Sequence, residues 1–95
     1  MNDLKETVDL MLSADYKERF VGEYVQLHIR YNKLCAMCAK WDAGELDFTP
    51  TCPREIYSEQ MVLENKLLAL LEKRAEIEGV ELPVMHDLEL AKSNS

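Results

Sequence analysis

The sequence is poor in the features on which most catalytic and membrane readings rest. Three glycines in 95 residues leave no material for a Gly-rich phosphate loop, the usual backbone cradle for nucleotide phosphates. No long uninterrupted apolar run is present, so no segment is expected to span a membrane. The N-terminus, MNDLKETVDLML, is acidic and lacks the basic stretch and apolar block of a secretory leader. The three cysteines are an odd number, which argues against a closed disulfide framework and for unbridged thiols in a reducing cytoplasm. His28 and His86 are isolated, with no HxxxH or ExxH pair and no nucleophile at a recognisable spacing. No catalytic residue, metal or cofactor is therefore expected.

Acidic residues are missing from one place in particular. The net charge is −7, yet the span between Tyr24 and Trp41 contains only Arg30, Lys33 and Lys40 with His28. An acidic chain is a poor general binder of nucleic-acid backbone, but this stretch is suited to a small anion. Arg30, Lys33 and Lys40 fall roughly along one outer helix face, with Tyr31 and Trp41 nearby. Arginine or lysine beside aromatic rings holds nucleotides by charge-assisted hydrogen bonds and stacking. The plainer alternative, a solvated helix face, fits the same residues.

What is present is helical periodicity. The expected fold is all-α, a single domain over residues 1–95. It has a short N-terminal helix (2–12), two long helices (14–42 and 53–78) forming an antiparallel hairpin, and a docked C-terminal tail (80–95) that frays at its end. Ser13 is placed as the N-cap of the first long helix. Gly44 and Gly79 sit where left-handed residues end helices, and Pro53 suits a first helical turn. The short connection makes the long helices antiparallel neighbours.

Tyr24, Leu27, Tyr31, Leu34, Cys38 and Trp41 step by threes and fours along the first long helix. Ile56, Gln60, Leu63, Leu67, Leu70, Arg74 and Ile77 do so along the second, and both runs have heptad spacing. One offset pairs Trp41 with Ile56, Leu34 with Leu63, Leu27 with Leu70 and Phe20 with Ile77. It also sets Gln60 beside Cys38 and Arg74 beside Glu23 and Tyr24. Arg74 reads as a seam ion pair or, alternatively, as lining a pocket with Gln60; Arg30, Tyr31, Lys33, Lys40 and Arg74 are the candidate ligand-binding residues.

A second apolar stripe remains on each helix, with Val21, Val25, Ile29 and Ala36 on one and Tyr57, Met61, Leu68, Leu71 and Ala75 on the other. Large exposed apolar patches are uncommon on monomers, so a homo-oligomer is expected, with Val21, Val25, Ile29, Met61, Leu68 and Leu71 at its interface. The CxxC pair Cys35 and Cys38 lies deep inside a helix, away from the N-terminus that activates redox thiols. It reads as packing, and Cys52 with His28 does not complete a convincing zinc set. The acidic face of the second long helix (Glu55, Glu59, Glu64, Glu72, Glu76, Glu78) reads as solvated, a DNA-mimic face being the alternative.

The runs ADYKERFVGEYVQLHIRYNKL, GELDFTPTCP and LLEKRAEIEGVEL resemble a family of small helical proteins encoded by phages and prophages of Gram-positive and gut bacteria. The resemblance spans about residues 13–82 and rests most on Leu46–Pro50 and Arg74–Gly79. It implies a phage accessory protein acting in the host cytoplasm by stoichiometric binding. The partner would be a cyclic nucleotide-type immune signal or a host defence protein. The alternative is a helical assembly module or regulatory adaptor with no small ligand.

Overall fold

The computed structural model describes residues 4–85. Among them the secondary structure is all helical. A 3-10 turn, Leu4–Thr7, runs into α1 (Val8–Met11), followed by two long helices, α2 (Tyr16–Asp42) and α3 (Arg54–Glu78). Residues 2 and 3 of the expected N-terminal helix and residues 86–95 of the expected tail, His86 among them, lie outside the described residues.

The helix ends follow from local chemistry. Asp15, not Ser13, caps α2. Its extended backbone (φ −82°, ψ 120°) lets the carboxylate accept from Lys17 N–H at 2.9 Å. Ser13 stands one step back: its hydroxyl accepts from Asp15 N–H at 3.0 Å and donates to Glu18. At the other end Gly44 takes φ +74°. Glu45 N–H then returns to the Lys40 carbonyl (2.8 Å) and Gly44 N–H to that of Trp41 (3.0 Å), the paired bonds of a Schellman stop. Gly79 ends α3 at φ +70°, with Val80 N–H bonded back to Ala75 at 2.8 Å. Pro53 stands just outside α3, which begins at Arg54.

The two long helices form the expected antiparallel hairpin, and three sets of contacts fix its lengthwise offset. Beside the loop, Arg54 makes a two-pronged pair with Asp42 (3.0 and 3.0 Å), and Trp41 meets Tyr57 edge to face. In the middle, the Tyr24 hydroxyl donates to Glu72 at 2.7 Å. At the open end, Tyr16 donates to Glu78 (2.8 Å) and Lys17 to the Gly79 carbonyl (3.3 Å).

The offset matches the sequence expectation, but the face of α3 turned inward does not. Leu68, Leu71 and Ala75 are buried, and Tyr57, Met61 and Glu64 are partly so. Leu63 is 65% exposed and Ile77 78% exposed, and Ile56, Gln60, Leu67, Leu70 and Arg74 are exposed as well. Every inward residue is the immediate successor of one assigned to the seam, so α3 is turned by one residue, about 100° on a helix of 3.6 residues per turn. The pairs Leu34–Leu63, Leu27–Leu70 and Phe20–Ile77 are therefore not core pairs.

That rotation also corrects the expected oligomer interface. Val25 (0% exposed), Ile29, Leu68 and Leu71 are buried inside a single chain, and Val21 and Met61 are partly buried. Val25, Ile29, Leu68 and Leu71 form one core with Phe20, Tyr24, Ala75 and Val80, against which Leu4, Val21, Leu27, Leu82 and Met85 pack. The outer side of α2 is covered by the N-terminal segment. A Cβ added at Gly22 would meet Leu10 Cβ at 3.0 Å and Met11 N and Sδ at 3.1 Å, so a glycine there lets α1 lie directly on α2. Cys38 is buried, as the packing reading of the CxxC pair expects. Asn32, also buried, sets its amide against His28 Nδ1 at 3.1 Å.

Candidate functional site

Lys33, Ala36, Met37 and Lys40 lie on the side of α2 away from α3, beyond the part covered by α1. The Schellman stop at Gly44 reverses the chain and folds the following loop back beneath them. Glu45, Leu46, Asp47 and Phe48 close the other wall of a cleft of about 330 Å³, near the lower end of the range typical of ligand pockets. Two lysines seven residues apart stand about 10 Å from each other along the helix. Between them lies an apolar floor of Ala36 and Met37, faced by Leu46 and the half-exposed ring of Phe48. The carboxylates of Glu45 and Asp47 join the same lining from the loop. The chemistry available is recognition: cations for an anion, an aromatic and a thioether for a flat ring, and carboxylates for hydroxyl or amino donors.

The candidate ligand-binding residues fall in different parts of the structure. Lys33 and Lys40 line the cleft. Arg30 is exposed one turn before Lys33 but forms no part of its walls. Tyr31 packs against the core, and Trp41 is turned onto Tyr57 of α3, with ring centroids 5.9 Å apart. Neither ring accompanies the lysines: on a helix of 3.6 residues per turn Tyr31 stands about 200° from Lys33, two residues on, and Trp41 about 100° from Lys40, one residue back. The cleft's aromatic is Phe48, a loop residue. Its only signal in the sequence was the quoted Leu46–Pro50 stretch.

Arg74 belongs to the opposite end of the hairpin. Its guanidinium lies 4.8 Å from the centre of the Phe20 ring, donates to Glu78 (3.1 Å) and donates to the Tyr16 hydroxyl (2.9 Å). Phe20 precedes Lys33 by 13 residues, about 20 Å of helix rise, so Arg74 cannot act with the lysines of one cleft. Tyr16 and, secondarily, Arg74 hold the Glu78 carboxyl below its ordinary range by hydrogen bonds. Arg74, Arg19, Tyr16, Phe20, Glu23 and Met11 line a smaller groove of about 250 Å³. Glu23 shares this groove with Arg74, but the ion partner of Arg74 is Glu78.

Among the described residues no three His, Cys, Asp or Glu side chains gather closely enough to hold a metal ion. None of the described helices is long and apolar enough to cross a membrane.

The Sequestin family model matches residues 14–77, which takes in α2, the returning loop and nearly all of α3. The chain belongs to the Sequestin family. No curated protein and no solved structure matches it. The family name suggests sequestration by binding.

Proposed function

We propose that this Sequestin is a phage accessory protein that counteracts host antiviral defence in the host cytoplasm by stoichiometric sequestration of a small anionic signal of cyclic-nucleotide type. The observation that carries the reading is the cleft on the outer side of α2, where Lys33 and Lys40 bracket an apolar floor faced by Phe48. In this reading the lysines take phosphate oxygens, Phe48 and Met37 take a base, and Arg30 adds longer-range attraction. The ligand is in this reading held and not turned over, in keeping with a family named for sequestration.

A second reading, that the chain blocks a host defence protein or serves as an assembly module, draws support from the exposed apolar face of α3. Titration of the purified protein with cyclic di- and trinucleotides and cyclic ADP-ribose isomers separates the two. Tight, unchanged release of one compound supports sequestration of a signal. Silence across the panel supports the protein-binding reading, and conversion of any compound overturns both.

A further inference from the structure

Among the described residues the hairpin leaves an apolar stripe along α3 uncovered. Ile56, Leu63, Leu67, Leu70 and Ile77 are between 43% and 78% exposed, and together with Gln60 and Arg74 they step by fours and threes along the whole of α3. Such a stripe, sustained over three heptads, is the seam of a two-helix coiled coil. The inward face of α3 is already filled by α2, so this seam is additional to the core. A groove of about 440 Å³ runs along its first half between Ile56 and Leu67. Monomers seldom leave an apolar surface of this extent in water.

Charge beside the seam identifies the occupant. The flank turned away from the core carries Glu59, Lys66 and Lys73 at seven-residue intervals. Glu59 and Lys73 are equidistant from Lys66 and opposite in sign. An antiparallel copy of α3 centred there brings Glu59 against Lys73 of the other copy, twice, and sets Leu63 against Leu67, twice. It also sets each Arg74 opposite an Ile56. A parallel pairing instead stacks Arg74 on Arg74 and brings Glu59 towards Glu64. Sliding the antiparallel pair by one heptad in one direction confronts Lys66 with Lys73, and in the other carries Leu70 past the start of the partner's α3 at Arg54. At the two-fold axis Lys66 meets itself, where its long stem keeps the ammonium in water. Glu64 also meets itself there, on the core-side flank, where Gln60 donates to it at 2.9 Å.

We propose that two copies of this chain associate through the exposed seam of α3, antiparallel and self-complementary about Lys66, to form a four-helix assembly with the two α3 helices at its centre. Isologous contacts of this kind close on themselves and give a dimer rather than a fibre. The seam shares no residue with the Lys33–Lys40 cleft, so the inference stands apart from the ligand reading.

Sedimentation of the full chain between 0.1 and 100 μM tests it, with helix content followed by circular dichroism. The parent is expected to dimerise in this range. Leu67→Glu and Leu63→Glu are expected to weaken association by about a hundredfold or more, since each buries a charge on assembly, while keeping parental helix content because both sites are exposed in the monomer. Glu59→Lys is expected to weaken the dimer by up to about tenfold, and adding Lys73→Glu to restore it. A parent that stays monomeric at 100 μM, or a dimer indifferent to both leucine variants, overturns the proposal. A dimer strengthened by Glu59→Lys overturns its antiparallel orientation, because only parallel pairing relieves a Glu59–Glu64 repulsion.

Discussion

Trp41 packs edge to face on Tyr57, with ring centroids 5.9 Å apart, and not on the neighbouring Ile56. That single step describes how α3 differs from its expectation. The helix lies at the anticipated height beside α2 but is turned by one residue, so Leu68 and Leu71 face inward while Leu67 and Leu70 face out.

Stability should follow the turned face. Ile29→Ala and Leu68→Ala each empty a buried site of the same core and are expected to cost about 2–5 kcal/mol. Leu63→Ala is expected to cost no more than about 0.5 kcal/mol when measured below 1 μM, as an exposed substitution does. Urea unfolding of the three variants checks this. A large loss at Leu63 with small losses at Ile29 and Leu68 would restore the original seam.

The lengthwise offset was legible because it depends on chain length and on stops that sequence marks well, notably Gly44, Gly79 and Pro53. The rotation was not. Two adjacent stripes of α3 are both apolar, Ile56–Leu63–Leu67–Leu70 and Tyr57–Met61–Leu68–Leu71, and either satisfies heptad spacing against α2. What separates them is tertiary: the Tyr24 hydroxyl reaches Glu72, and Arg74 must stay outside to reach Tyr16 and Glu78. The site was half legible for a similar reason. Lys33 and Lys40 share a helix face and could be grouped by periodicity. Phe48 reaches them only because the chain reverses at Gly44, a geometry that spacing does not encode.

Gly22 is where α1 meets α2. A methyl group there would press on Leu10 and on the Met11 backbone at 3.0–3.1 Å, while alanine would improve helix propensity by about 1 kcal/mol over glycine. Gly22→Ala is therefore expected to be close to neutral. Gly22→Val, with more bulk and no way to relieve it, is expected to detach the N-terminal segment and speed proteolysis before Tyr16. Unchanged protection in the valine variant would show that α1 adjusts without undocking.

Alkaline pH should weaken the fold through Tyr24. Burial, followed by the hydrogen bond to Glu72, pushes its phenol well above its ordinary value near 10. The neutral phenol is the form the native state favours, so its contribution is complete below pH 10 and declines as the pH rises further and the unfolded chain ionises first. Tyr24→Phe is expected to lose about 1 kcal/mol at neutral pH, the ordinary net worth of one hydrogen bond, and to show a flatter decline above pH 10. An equally steep alkaline limb in the phenylalanine variant would assign it to other groups.

Thiol chemistry should leave stability alone. Cys38 is buried in a helix, Cys52 is exposed, and no disulfide joins the cysteines. EDTA, or a reductant added to fresh protein, is expected to leave Tm unchanged. A fall of several degrees with chelator alone would reveal a metal that links folding to its ligands.

Ligand binding should depend on the cleft and not on the far end of the hairpin. If Lys33 and Lys40 contact an anion, Lys33→Glu or Lys40→Glu replaces an attraction with a repulsion. Affinity for the compound selected from the cyclic nucleotide panel is then expected to fall at least a hundredfold, and the parent's binding should weaken with added salt. Phe48→Ala should cost about 1–3 kcal/mol of binding if the ring stacks on a base, by comparison with base–aromatic stacking elsewhere. Arg30→Glu, outside the cleft walls, should have a smaller effect that salt largely removes. Arg74→Glu, about 20 Å away along α2, should bind like the parent while loosening the Tyr16–Glu78 cluster. Calorimetric titration of the five variants decides between sites. Parental affinity in both lysine reversals would exclude the cleft, and loss of binding in Arg74→Glu alone would move the site to the groove beside Phe20.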